Sequence, residues 1–125
     1  MSNTVIDCGN CNADHTAFES LVKANFGATV IRTHSLKDTM DALTNEKVAL
    51  ITVNRLLDRD HSEGMDVIKQ IKSNPEYADI PIMLVTNFPD HQQLAIDAGC
   101  VPGFGKKTLR DPSTLELLTN YLGKE

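Results

Sequence analysis

The sequence predicts an α/β domain in which strands and helices alternate, forming a parallel sheet with helices on both faces. Apolar periodicity switches repeatedly between strand-like runs and helical spacing, marking out five β/α pairs. Several of the strand-like runs are continuously apolar and rich in β-branched residues, as strands buried on both faces are. The length of 125 residues, with 41% hydrophobic and 23% charged residues, suits one compact domain spanning 1–125 that needs no staples.

Taken in order, the strands are expected at residues 4–7, 28–33, 48–53, 80–85 and, as a short fifth strand, 103–105. Between them Phe18, Leu21 and Val22, then Leu36, Met40 and Leu43, then Met65, Ile68 and Ile71 stand three and four apart, each set forming one apolar helical stripe. A shorter, polar fourth helix is expected over residues 91–98. The last helix starts at Asp111 and Pro112, a capping residue followed by the proline favoured in a first turn, and buries Leu115, Leu118 and Leu122.

Charge and cysteine content narrow the function classes. A net charge of −5 argues against a phosphate-binding nucleic-acid face, which needs clustered Lys and Arg. No apolar run is long enough to span a bilayer, and residues 1–7 lack the basic start and hydrophobic stretch of an export signal. Three cysteines, an odd number, fit a reducing compartment better than a disulfide framework. The expectation is a cytoplasmic protein that binds neither nucleic acid nor membrane.

Ligands of open parallel sheets sit beyond the carboxyl ends of the strands. Along that edge the sequence places Asp7 and Cys8 after the first strand, Asn54 after the third, Thr86 after the fourth, and Lys106 or Lys107 after the fifth. With ALITVN, a loop ending at Gly64, IPIMLVT, and DAGCVPGFGKK before the last helix, this pattern resembles the receiver domain of bacterial two-component response regulators, the CheY-like family, over nearly the whole chain. The resemblance implies a flavodoxin-like (βα)5 doubly wound fold with a five-stranded parallel sheet. It also implies a role in phosphorelay signalling rather than enzymatic catalysis. Family members carry an acidic pair, a phosphate-accepting aspartate, a Thr or Ser, and a Lys at these positions; the acids hold magnesium, and the hydroxyl and the lysine bind the phosphoryl oxygens.

Here the resemblance is to a degenerate member, a pseudo-receiver. The acceptor position is Asn54, and the acid pair is reduced to Asp7 with Cys8 beside it, so the Cys8 thiol is expected to point into the vestigial acid pocket. An amide is a poor nucleophile and a neutral ligand, so acyl-phosphate formation is not expected and magnesium binding is expected to be weak or absent. Lys106 keeps the family spacing from Ala98 and Gly99, whereas GFGKKTL aligns better if Lys107 is the family lysine. The second choice makes Phe104 the switch aromatic and Thr108 the counterpart of the family's proline. The implied mode of action is protein–protein contact, with a sensor kinase or a downstream effector, through the fourth helix, fifth strand and fifth helix.

Two other readings compete. Cys8, Gly9, Asn10 and Cys11 form a C-x-x-C at a strand-to-helix turn, the setting of a thiol–disulfide redox pair whose thiolate a helix N-terminus would stabilise. Alternatively, Asp58 or Asp60, in a loop at residues 55–63 that is longer than the family usually has, accepts phosphate in place of Asn54. The plain reading of that loop is a solvated charged connection. Single scattered histidines are expected at the surface or as caps, and Cys100 as a small buried packing residue.

Overall fold

The computed structural model describes residues 3–123. Its elements alternate as β1 (Thr4–Cys8), α1 (Asn12–Phe26), β2 (Thr29–Thr33), α2 (Leu36–Asn45), β3 (Leu50–Asn54), α3 (Gly64–Lys72), β4 (Ile82–Val85), α4 (Pro89–Asp97) and α5 (Pro112–Leu122), with a 3-10 turn at Lys106–Thr108 before α5. The sheet is wholly parallel in the order β2-β1-β3-β4. Because β1 pairs with both β2 and β3, the chain winds outward in two directions from β1, which opens a crevice at the carboxyl ends of β1 and β3.

Strand alternation divides the interior in two. Val5, Leu50, Met83 and Val85 pack with Phe18 and Val22 of α1 and Leu118 and Leu122 of α5. On the other face Ile6, Cys8, Ile51, Val53, Ile82 and Leu84 meet Leu43 of α2, Val67, Ile68 and Ile71 of α3, and Ala95 of α4. The helical stripes read from spacing supply these contacts, except that α5 buries Thr114 with Leu118 and Leu122, while Leu115 is only half-buried.

Helix ends follow local chemistry. Ser35 and Asp38 form a reciprocal capping box on α2. Gly27 ends α1 at φ 64, a left-handed conformation that glycine takes without strain, and donates its N–H to the Lys23 carbonyl. Asp111 occupies the cap position of α5, but its side chain makes no capping bond; the Thr114 N–H donates to its backbone carbonyl instead. The fourth helix starts two residues earlier than its polar stretch suggested, with Pro89 in its first turn.

The expected fifth strand does not form: among the described residues the sheet has four strands. Residues 101–105 run beside β4, but only the Val101 N–H to the Ile82 carbonyl (3.0 Å) and the Thr86 N–H to the Phe104 carbonyl (3.0 Å) link them to that side of the sheet. Two of these five residues are glycines and one is proline, so a continuous ladder is poorly supported. The segment is an edge-covering strap in place of a strand.

At the other side of the crevice Gly64, the first residue of α3, lies against the carboxyl end of β3. A Cβ there would overlap the Asn54 carbonyl oxygen and come within 2.9 Å of Val53 Cγ1. Gly64→Ala should therefore destabilise the protein by about 1–3 kcal/mol, the usual cost of overpacking against backbone. Urea unfolding of the two proteins measures this; an unchanged midpoint would mean that α3 can shift away from β3 freely.

Candidate functional site

The first acid of the sheet edge is not free. Asp7 is fully buried, and three side chains hold its carboxylate. Asn10 Nδ2 donates to Oδ1 at 2.7 Å and Thr52 Oγ1 donates to Oδ1 at 2.9 Å, while His15 Nδ1 lies 2.9 Å from Oδ2. These partners come from the β1–α1 turn, from the parallel register that sets Thr52 beside Asp7, and from the first turns of α1. Burial raises the Asp7 pKa above its ordinary value of 3.8, and the bonds from His15, Thr52 and Asn10 oppose that rise. His15 is itself buried, contrary to the expectation for a lone histidine.

Cys8 does not share that pocket. Alternation along β1 turns it to the opposite face, where it packs with Ile6 and Leu57 and its Sγ sits 4.0 Å from the Ser35 carbonyl. Burial raises its pKa, with Asp7 only a minor contributor. The expectation of low Cys8 reactivity therefore rests chiefly on burial rather than on the charge of Asp7. Cys11 is exposed and donates to Asp14 Oδ2 at 3.1 Å. One thiol is in the core and the other is at the surface, and all strands are parallel, so nothing in this geometry favours the dithiol reading. Cys100 is buried as expected, its pKa pushed up to about 11 by desolvation.

Asn54, Arg55, Thr86, Asn87 and Lys106 line one open cleft at the carboxyl ends of β3 and β4. The Asn54 amide is turned toward its own loop, Nδ2 donating to the Leu56 carbonyl at 2.6 Å. Thr86 Oγ1 accepts the Phe88 N–H at 3.3 Å and lies 3.4 Å from His91 Nδ1, so it also starts the turn into α4. Lys106 reaches across to α1 and pairs with Asp14 at 2.6 Å, which holds the Asp14 carboxyl below its ordinary range. Asp14 is thus a site residue that the edge pattern does not include; its one sequence signal is its place in the first turn of α1.

The two lysines part company. Lys106 faces this cleft, whereas Lys107 lines a separate groove with Asn87, Gln92, Ile96 and Phe104 on the α4 side. The turn that separates them is fastened by Asn87, whose Oδ1 accepts the Lys107 N–H at 3.0 Å. Phe104 is buried and stacks on Phe18, with ring centroids 5.8 Å apart. No described peptide bond is cis, so the bond before Thr108 is trans as expected.

These residues do not make a divalent-cation site as they stand. Asp7 accepts from neighbours at both oxygens, Asn54 is neutral, and Asp14 is held by Lys106. Among the described residues no three His, Cys, Asp or Glu side chains converge. The two loop aspartates lie outside the cleft. Asp58 turns toward β2, meeting His34 Nδ1 at 3.0 Å and Arg32 at 3.5 Å, and Asp60 is exposed and accepts the Ser62 N–H.

Asp7 gives a pH signature of known sign. An acid with a raised folded-state pKa binds its proton more tightly in the folded chain. Its contribution to stability is complete below the unfolded value and is lost as pH rises through the folded value. Asp7→Asn carries no such proton. The stability of this variant relative to the parent should therefore climb as pH rises above the ordinary aspartate value of 3.8, measured by urea unfolding at each pH. A difference that stays flat would mean that Asp7 titrates as it does in the unfolded chain.

No protein-family model and no curated protein matches the chain. Solved structures do match it in fold. A response regulator receiver protein from Pseudomonas putida superposes with a TM-score of 0.78 at 17% identity, covering 96% of this chain and 98% of that one. The non-phosphorylated receiver domain of the stress response regulator RcsB from Escherichia coli gives 0.74 at 14% identity, covering 100% and 97%. The chemotaxis protein CheY4 of Vibrio cholerae gives 0.72 at 15% identity, covering 98% and 100%. At these identities the likeness is one of fold, and it extends over nearly the whole chain: the architecture is that of the response-regulator receiver domain.

Proposed function

We propose that this chain is a pseudo-receiver: a non-enzymatic signalling module that acts by binding a protein partner and takes no phosphate on an aspartate. The observation that carries this reading is the state of the sheet edge. The acceptor position holds Asn54, Asp7 is enclosed by His15, Asn10 and Thr52, and Lys106 is engaged by Asp14. The acceptor carboxylate is absent, and the remaining acid and the lysine of the cleft are already engaged within the protein. No resident metal or other cofactor is part of this reading.

The partner surface we assign is the one made by α4, residues 101–108 and α5. There Gln92, Ile96, Phe104 and Lys107 line an open groove, and Leu94 and Ile96 are exposed on α4. Exposed apolar side chains beside a polar groove suit recognition by a protein partner such as a sensor kinase or an effector. No helix among the described residues is long and apolar enough to cross a membrane. Three unpaired thiols suit a reducing, cytoplasmic compartment, and the likeness in fold to bacterial receivers is what supports a bacterial signalling role.

Incubation with acetyl phosphate and magnesium should leave the intact mass unchanged, and a magnesium titration followed by calorimetry should give no saturable heat. A phosphate adduct mapped to Asp58 or Asp60 would replace this reading with that of a receiver using a displaced acceptor. A saturable magnesium site would show that Asp7 can leave its partners.

A further inference from the structure

The long connection between β3 and α3 is more than a solvated loop. Its ends are pinned together by a Leu56–Glu63 bridge and by the Gly64 N–H donating to the Arg55 carbonyl at 2.7 Å. Inside it the Leu57 N–H donates to the Ser62 carbonyl and the His61 N–H to the Leu57 carbonyl, both at 2.9 Å, while Asp60 Oδ1 accepts the Ser62 N–H. The turn closes through His61 at φ 58, a left-handed conformation seldom taken by a residue with a side chain. Its backbone bonds are therefore largely its own, and residues 59–63 are exposed.

Two of its side chains fasten this unit to the rest of the fold, and its base is hinged on the sheet, where the Arg55 N–H donates to the Val85 carbonyl at 3.3 Å and the Leu56 carbonyl accepts from Asn54 Nδ2 at 2.6 Å. Leu57, 3% exposed, seats on Gly9, where any Cβ would strike it; its Cα stands 3.1 Å from that position. Asp58 enters between His34, at 3.0 Å, and Arg32, at 3.5 Å. Arg32 also donates to the Asn10 carbonyl at 3.2 Å and to Asn12 Oδ1 at 3.3 Å, so the Asp58 contact reaches the β1–α1 turn as well as β2. Beneath Leu57 lies Gly9, and the preceding Cys8 shares the buried cluster of Leu57 with its Sγ 4.0 Å from the Ser35 carbonyl, a buried thiol that no other part of the proposed function uses.

We propose that residues 55–63 form a strap that opens as a unit, latched by Asp58 against Arg32 and His34, and that its opening uncovers the carboxyl end of β1, Cys8 included, while the sheet stays folded. A segment with its own internal hydrogen bonds and few ties to its surroundings is the kind of element that opens locally at less cost than global unfolding. The latch sets how often it does. The inference stands independently of the partner-binding reading.

The cysteines provide the test. Cys11 is exposed and labels at once, Cys8 lies under the strap, and Cys100 is buried at the far end of α4, away from it. In the intact protein, N-ethylmaleimide labelling of each cysteine is followed by peptide mass spectrometry for the parent, Asp58→Ala, His34→Ala and the double variant. Asp58→Ala should label Cys8 roughly tenfold faster, the scale expected for loss of a charge-assisted hydrogen bond, with Cys100 unchanged. Tryptic cleavage after Arg59 should accelerate in step. His34→Ala should speed Cys8 in the same direction, and the double variant should label no faster than Asp58→Ala. Equal acceleration at Cys8 and Cys100 would mean global unfolding and would overturn the proposal, as would an unchanged Cys8 rate in Asp58→Ala.

Discussion

The edge of this sheet is organised around one buried carboxylate. Asp7 has no access to solvent, and an ionised carboxylate in such a place is tolerable only when its lone pairs are filled. The filling comes from three separate parts of the chain: Thr52 of β3, Asn10 of the first turn and His15 of α1. Satisfying Asp7 therefore fixes the angle at which α1 leaves the sheet and the register in which β3 lies beside β1. Asn10 and Thr52 share Oδ1, whereas His15 alone meets Oδ2, so removing His15 would leave a buried oxygen unpaired, a larger penalty than the loss of an ordinary surface bond.

That solution has a chemical consequence. Receiver chemistry needs acids that remain available to an external cation, but here the acid is satisfied from within. The same holds for the opposing charge, since Lys106 is drawn to Asp14 of α1 rather than left to meet an anion. The charged groups of this edge are thus paired internally, which is what the proposed pseudo-receiver reading rests on. What persists at the surface is shape: the groove beside α4 and the apolar side chains Leu94 and Ile96.

The lengthened β3–α3 connection fits the same pattern. Asp58 is oriented away from the cleft and spent on Arg32 and His34, and Leu57 fills the space over Gly9 that a side chain there would otherwise need. Arg32 links the two halves of the edge, touching the first turn on one side and this connection on the other. Its Nε and the Asn10 Oδ1 are both buried with no protein partner among the described residues, so the unsatisfied polar atoms of the edge gather around this junction.

Much of this was legible before any coordinates. Alternating periodicities located four strands and five helices, because the pattern of burial on a strand or a helix is a local property of the chain. The position of Asn54 at the end of β3 and of Thr86 after β4 followed from where the apolar runs stop. Other features depended on contacts between distant segments. That Cys8 faces α2 while Asp7 faces α1 depends on the register of β1, and that His15 is a buried partner depends on the angle of α1. The choice of Lys106 over Lys107 for the cleft was made by a 3-10 turn that Asn87 fastens, and the missing fifth strand by a Gly- and Pro-rich segment that meets β4 at only two bonds. Sequence by itself determined which residues are apolar and how they recur, and so the fold. Only the tertiary structure decided which polar groups find one another, because hydrogen bonds and ion pairs are directional and short-ranged and exist only once the backbone has brought their partners within reach.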